Sequence, residues 1–136
     1  MKGVVKITAS SHMCNQCHQV TDYAWNEYWV TNDEPNSWIC FDFKEKRLCL
    51  TGYSLKSGES YYLLHWVIEG SDDGDSWHKL DRRDARDLKG KYVTKTFECE
   101  FKDPKSFRYI RLRQTGKNIW ENDHLCLSEI EFFGVL

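Results

Sequence analysis

The segment Trp38-Ile-Cys-Phe-Asp-Phe43 puts Ile39, Phe41 and Phe43 on one face of an extended chain and Cys40 and Asp42 on the other. Side chains alternate across a strand but recur every three to four residues on a helix, so this period of two limits the fold most. It recurs along the chain. Leu48 and Leu50 oppose Cys49, and the stretch from His65 to Gly70 alternates again. Phe97, Cys99 and Phe101 share a face, Ile110 and Leu112 turn inward against Arg111 and Arg113, and Leu125 to Phe133 closes the series. Asp73-Gly74 is a hairpin signal, and Trp77-His-Lys-Leu80 reads as the return strand. Thr51-Gly52 predicts a bulge or bend. About eight short strands with turns between them, and no long amphipathic helix, predict an all-β sandwich or jelly roll. Trp38, Trp66 and Trp77 sit at strand positions and read as core.

A chain of 136 residues makes a single domain, 1–136, with a real hydrophobic core. Its 21 acids against 19 bases give no bulk electrostatic case for nucleic acid or an anionic membrane. No apolar run is long enough to span a bilayer. No apolar signal region follows Met1, so the chain reads as cytoplasmic; a monomer is expected. The charged run LDRRDARDLKGK, residues 80–91, reads as a solvated loop or short helix, with Arg82, Arg83 and Arg86 as the candidate ligand contacts.

The stretch MCNQCHQV poses a separate question, because Cys14, Cys17 and His18 spell C-x-x-C-H. Covalent haem is set aside: it needs an export-linked maturation system and a second axial ligand that the sequence does not place. Zinc could draw on His12, Cys14, Cys17 and His18, with His124 and Cys126 as a second pair. A Cys14–Cys17 disulfide would close too short a loop to stabilise much. The favoured reading is an exposed loop without metal. The other cysteines, Cys40, Cys49, Cys99 and Cys126, stand singly in strand-like segments and are expected as free thiols that fill space.

Taken in order, SWICFDF, LTGYSLKS, WVIEGSDDGDSWHKLDRR, FRYIRLRQTG and LSEIEFFG resemble the discoidin, or coagulation-factor type C, family with its galactose-binding-like fold. The resemblance covers residues 37–134, and VVKITAS, residues 4–10, is similar to the family's first strand. Asp73-Gly74-x-x-Trp77 and Tyr109-Ile-Arg-Leu112 are its most specific parts, and PNSWICFDF is similar to the intracellular branch. The resemblance implies an eight-stranded antiparallel jelly-roll β-sandwich. It also implies a non-catalytic module that binds sugars, phospholipid head groups or peptides with loops at one end. Secreted members join the ends of the domain by a disulfide, whereas the end segments MKGVVKITAS and EIEFFGVL contain no cysteine.

On that frame the expected ligand is a protein or peptide, with a glycan as the alternative and a metal- or redox-responsive protein built on Cys14, Cys17 and His18 as the third. The binding loops are expected around residues 12–30, 82–86 and 116–124. Candidate contacts are Asn15, Gln16, His18, Tyr23, Trp25, Tyr28, Arg82, Arg83 and Trp120. An aromatic face suits sugar C–H groups or a peptide side chain, and Trp25 is the preferred exposed one. Family resemblance also suggests a structural calcium, with Asp22, Asn26 and Glu129 as candidate ligands, although no cofactor is required. His65 and His78 stand singly, and no nucleophile elbow, phosphate loop or H-E-x-x-H is present, so an enzyme is not expected.

Overall fold

Strand follows strand in the computed structural model, which describes residues 5–22 and 25–136. Eight strands of four residues or more carry the fold: β1 (Lys6–Ala9), β3 (Trp38–Asp42), β4 (Leu48–Lys56), β5 (His65–Ser71), β6 (His78–Asp84), β7 (Thr94–Glu98), β9 (Tyr109–Gln114) and β11 (Glu129–Val135). Three two-residue strands join them: β2 (Trp29–Val30), β8 (Ser106–Phe107) and β10 (Cys126–Leu127). All pairings are antiparallel. One sheet runs β1, β3, β9, β5, β6, and the facing sheet runs β11, β4, β7, with β8 also on β4. Among the described residues no helix is long and apolar enough to cross a membrane.

The alternation read from the sequence becomes the core. Ile39, Phe41, Trp66, Ile68, Ile110 and Leu112 point inward from the five-stranded sheet. Leu50, Tyr53, Leu55, Phe97, Ile130 and Phe132 meet them from the other. The expected bulge is there: Gly52 faces Phe133 while Leu50 faces Gly134, which leaves Thr51 as an extra residue. That residue shifts the buried set from Leu48 and Leu50 to Tyr53 and Leu55. Gly52 is required by a close approach, since a Cβ there would lie 2.8 Å from the Phe97 carbonyl oxygen.

The Asp73-Gly74 turn is also as expected. Gly74 takes φ +81°, and the Asp73 carboxylate accepts the amides of Asp75 and Ser76, each at 2.8 Å.

Three expectations need correction. The run 80–91 does not begin as a loop, because β6 continues to Asp84 and pairs with β5 on both sides of the bulged Leu80. Trp38 and Trp77 are only half-buried, and of the three strand tryptophans Trp66 alone enters the core. Trp38 falls on the outer face, out of phase with Ile39 and Phe41. Trp77 lies before β6 and stacks on the Arg111 guanidinium, 3.8 Å from its centroid. Nor does the irregular stretch after β1 stay at one end. Its 3-10 turn, Cys17–Thr21, packs against both β1 and β11 and closes the seam between those two edge strands.

Candidate functional site

Strand direction decides which loops meet. Antiparallel pairing puts Ala9, Trp38, Gln114, His65 and Asp84 at one end of the five-stranded sheet. Lys56, Thr94 and Glu129 lie at the same end of the other sheet, because residues 57–64 connect β4 directly to β5 and residues 85–93 connect β6 to β7. Residues 10–15, 27–37, 57–64, 85–93 and 115–125 therefore form one loop end. Backbone bonds knit them: Ser57 to Val93, Tyr92 to Gly58, Ile119 to Tyr62, and Thr31 to Leu125.

The 115–125 loop is built around Asn118, which is buried. Its Nδ2 donates to Asn122 Oδ1 at 2.7 Å and to the His124 carbonyl at 2.8 Å, while its Oδ1 accepts the Trp120 amide at 2.9 Å. Gln114 Nε2 supports the loop from below, donating to the carbonyls of Asp123 and His124. His124 Nδ1 lies 2.8 Å from the Thr31 carbonyl, which can only accept, so Nδ1 carries the hydrogen.

This frame holds Trp120 out in solvent at 56% exposure. Its ring meets Tyr61 at 5.3 Å, and Tyr61 meets His124 at 4.4 Å. Tyr61, at φ 52°, and Glu121, at φ 63°, hold left-handed backbone that side chains disfavour. Asn15, Asn36 and Tyr92 at this end do the same, and strain of this kind gathers where a surface is held for binding.

The candidates named from the sequence separate into groups. Asn15 is at the loop end, and its Nδ2 donates to the Tyr28 carbonyl at 2.7 Å, so it fastens two loop segments together. Tyr28 is half-buried beside it, and burial pushes its phenol up. Trp120 is the most exposed of the described aromatics in the set. Gln16 and His18 belong to the 3-10 turn on the seam: the Gln16 amide donates to Gln19 Oε1 at 3.1 Å, and His18 is exposed. Trp25, expected to be exposed, is half-buried and packed on the core, which holds the long loop down. Tyr23 lies outside the described residues.

Arg82 and Arg83 are strand residues with opposite orientations. Arg83 faces inward, bonded to Asp81 at 2.9 Å and lying over the Phe97 ring, where it ties β6 to β7. Arg82 faces outward. Asn118 and His124 fall in the expected loop 116–124, though the sequence offers His124 only as a metal ligand, and Tyr61 lies outside every expected loop. Nothing local to Tyr61-Tyr-Leu-Leu reports that it meets a loop some sixty residues on.

The side chains of the opening motif turn in different directions. Among the described residues no three His, Cys, Asp or Glu side chains gather to hold an ion. Cys17 is buried with its thiol on the Ile7 carbonyl, while Cys14 bridges to Val30 and His18 turns to solvent. The same finding bears on calcium, which takes six to eight oxygens. Asp22 lends its carbonyl to the Trp25 amide, Asn26 is exposed, and Glu129 sits in β11 opposite Lys56. Among the described residues neither Asp22 nor Glu129 belongs to a cluster of three or more His, Cys, Asp or Glu side chains.

All six cysteines are free. Burial pushes the Cys40 and Cys126 thiols up to about 12 and Cys99 to about 11. We expect iodoacetamide at neutral pH to modify half-exposed Cys14 and to spare Cys40 and Cys126 in the native protein. All six should react after denaturation, as read by intact mass. A pair that resists alkylation when denatured would mean a disulfide.

An F5/8 type C domain model matches residues 6–130. The chain belongs to the F5/8 type C, or discoidin, domain family. E3 ubiquitin-protein ligase Ufd4 of Drosophila melanogaster is 31% identical over 111 residues, 76% of this chain. The match spans only 4% of that relative's length. Among solved structures, CpGH89CBM32-5 from Clostridium perfringens, in complex with GalNAc-β-1,3-galactose, superposes with a TM-score of 0.76 at 15% identity, covering 96% of this chain and 95% of that one. CpGH89CBM32-6, produced by the same organism, gives 0.73 at 21% identity, covering 99% and 97%. These likenesses establish the galactose-binding-like sandwich. Discoidin domains are binding modules rather than catalysts, and the loop end is where this one presents an ordered, partly apolar surface.

Proposed function

We propose that this discoidin domain is a non-catalytic recognition module that binds a protein or peptide at its loop end, with Trp120 as the anchor. The observation that carries the reading is a tryptophan 56% exposed on a loop already ordered by Asn118. Aromatic anchors dominate interface energetics, and a rigid support lowers the entropy lost on binding. The similarity to an E3 ubiquitin-protein ligase supports a protein ligand. That similarity and the six free thiols together support an intracellular setting. The module needs no cofactor in this reading.

A glycan is the second reading. It is favoured by the Tyr61, Trp120 and His124 rings beside the Asn118–Asn122 amides, and by a structural neighbour solved with a disaccharide. Sugar sites combine a stacking ring with directed polar groups.

One experiment separates them. Peptides are selected from a random display library on the wild-type domain, and a glycan array is run with calcium and with EDTA. We expect Trp120→Ala to weaken the selected peptides at least tenfold, about 1.4 kcal/mol. Peptides that bind Trp120→Ala unchanged would remove the anchor. Array hits lost in Trp120→Ala, with no peptide selected, would move the assignment to glycan.

A further inference from the structure

The outer face of the five-stranded sheet carries a recess that the loop-end reading does not use. It has a volume of about 610 Å³ and is lined by His65, Val67, Lys79, Arg82, Asp84, Arg113, Thr115 and Gly116. Its geometry follows from pairing. Val67 lies between Arg113 on β9 and Arg82 on β6, and the next outward row carries Arg111, Glu69 and Lys79. Val67 is the apolar floor, and the cations stand around it.

A strand defect puts two of those cations together. Lys79 and Arg82 are three residues apart, so an unbroken strand would send them to opposite faces. The register shift between Ile68 and Glu69 makes Leu80 an extra residue: Lys79 faces Glu69, and Asp81 faces Ile68. Both Lys79 and Arg82 then point outward, and Asp81 and Arg83 point inward. A bulge on an edge strand re-aims side chains in this way and is common beside binding sites.

The charges in the recess are not all answered. Arg113 is committed, with Nε and Nη2 on Glu69 and Nη1 on Asn36. Arg82 uses only Nε, on Asp84 Oδ2 at 3.0 Å, and Asp84 is held in turn by His65 Nδ1 at 2.8 Å. The terminal nitrogens of Arg82 stay open as a preset fork, and the Lys79 ammonium has no polar partner among the described residues. Lys79, Arg82, Arg111 and Arg113 against Asp84 and Glu69 leave two positive charges, which carboxylates would balance. Guanidinium forks bind carboxylates in two-point fashion, and the ammonium adds a point charge. No Trp, Tyr or Phe lines the recess and its one ring, the His65 imidazole, is tied to Asp84, so it lacks the broad platform a sugar prefers, whereas Val67 gives a methylene chain something to rest on.

We infer that this recess is a second binding site, independent of the loop-end reading, and that it takes the carboxylate side chain of an acidic peptide. The test uses acetylated, amidated hexaglutamate titrated into the ¹⁵N-labelled domain. The amides of Val67, Lys79, Arg82, Thr115 and Gly116 should shift together, and hexaglutamine should leave them in place. Arg82→Ala and Lys79→Ala should each weaken binding about tenfold. Lys95→Ala, an exposed cation on β7 in the other sheet, should leave it unchanged. Both tested side chains are exposed, so the folded spectrum outside the recess should persist. Shifts scattered over all surface cations, or affinity indifferent to both Arg82→Ala and Lys79→Ala, would overturn the site. Trigalacturonate binding the same amides more tightly than hexaglutamate would overturn the peptide assignment.

Discussion

Trp66→Ala is expected to destabilise the domain by about 4 kcal/mol, read as a lower urea midpoint. The indole is fully buried in β5 and packs edge-on against Phe97 at 5.5 Å. It also starts the polar chain that ties the sheets together. Trp66 Nε1 donates to the Tyr53 hydroxyl at 2.9 Å, and that hydroxyl donates to Asp81 Oδ2 at 2.5 Å. Asp81 also accepts from Arg83 Nε, and Arg83 crosses to the Glu98 carbonyl on β7. Burial, aided by the bond to Asp81, pushes the Tyr53 phenol up, so it stays a donor. Removing the indole leaves a cavity that close-packed neighbours fill only in part, and it strips one bond from Tyr53. Natural domains hold about 5–15 kcal/mol in reserve, so the loss is a large share. Trp66→Phe separates the two effects. It keeps most of the volume, loses the N–H, and should cost about 1 kcal/mol beyond its packing change. Equal costs for Ala and Phe would show that the bond, not the cavity, dominates.

Glu69→Ala should cost about 3 kcal/mol, because it strands two guanidinium groups on a sheet face. Glu69 is 8% exposed; its Oε1 accepts from Arg111 Nε and Arg113 Nε, each at 3.0 Å, and its Oε2 from Arg113 Nη2 at 3.3 Å. Arg111 is also pinned beneath Trp77, so it cannot swing far to find water. Glu69→Gln keeps the size and acceptor oxygen but not the charge, and should fall between wild type and Ala.

The same triad sets part of the acid limit. Burial acts to raise the Glu69 carboxyl, but the hydrogen bonds and charges of Arg113 and Arg111 outweigh it and leave it below the usual glutamate range. A group with a depressed folded pKa contributes its stability in full above the unfolded pKa, about 4.3, and loses it as pH falls through the folded value. The wild-type unfolding midpoint should therefore drop as pH is lowered from about 5, and more steeply than that of Glu69→Gln. Parallel pH profiles for the two proteins would show that the triad contributes no linkage.

Period-two alternation was legible because burial on one face of a strand is a local pattern. Ile39 and Phe41, Ile110 and Leu112, and the phase change at Thr51-Gly52 could all be read from neighbours two residues apart. The Asp73-Gly74 turn was legible for the same reason, since its bonds close within four residues. Trp38 and Trp77 could not be read this way. Their large apolar rings suggest the core, yet one is on the outward phase of β3 and the other is covered by an arginine from β9.

The chain by itself thus determined the sandwich, the strand phases and the free thiols, because each follows from residue type and short-range spacing. Only the tertiary structure decided the candidate surfaces. Pairing brought Tyr61 to Trp120 and His124, and Arg82 to Val67 and Arg113, across gaps of tens of residues. A single extra residue, Leu80, chose the face on which Lys79 and Arg82 meet. Strand register sets contacts of that kind, and register is settled by the packing of the whole sheet rather than by any one segment.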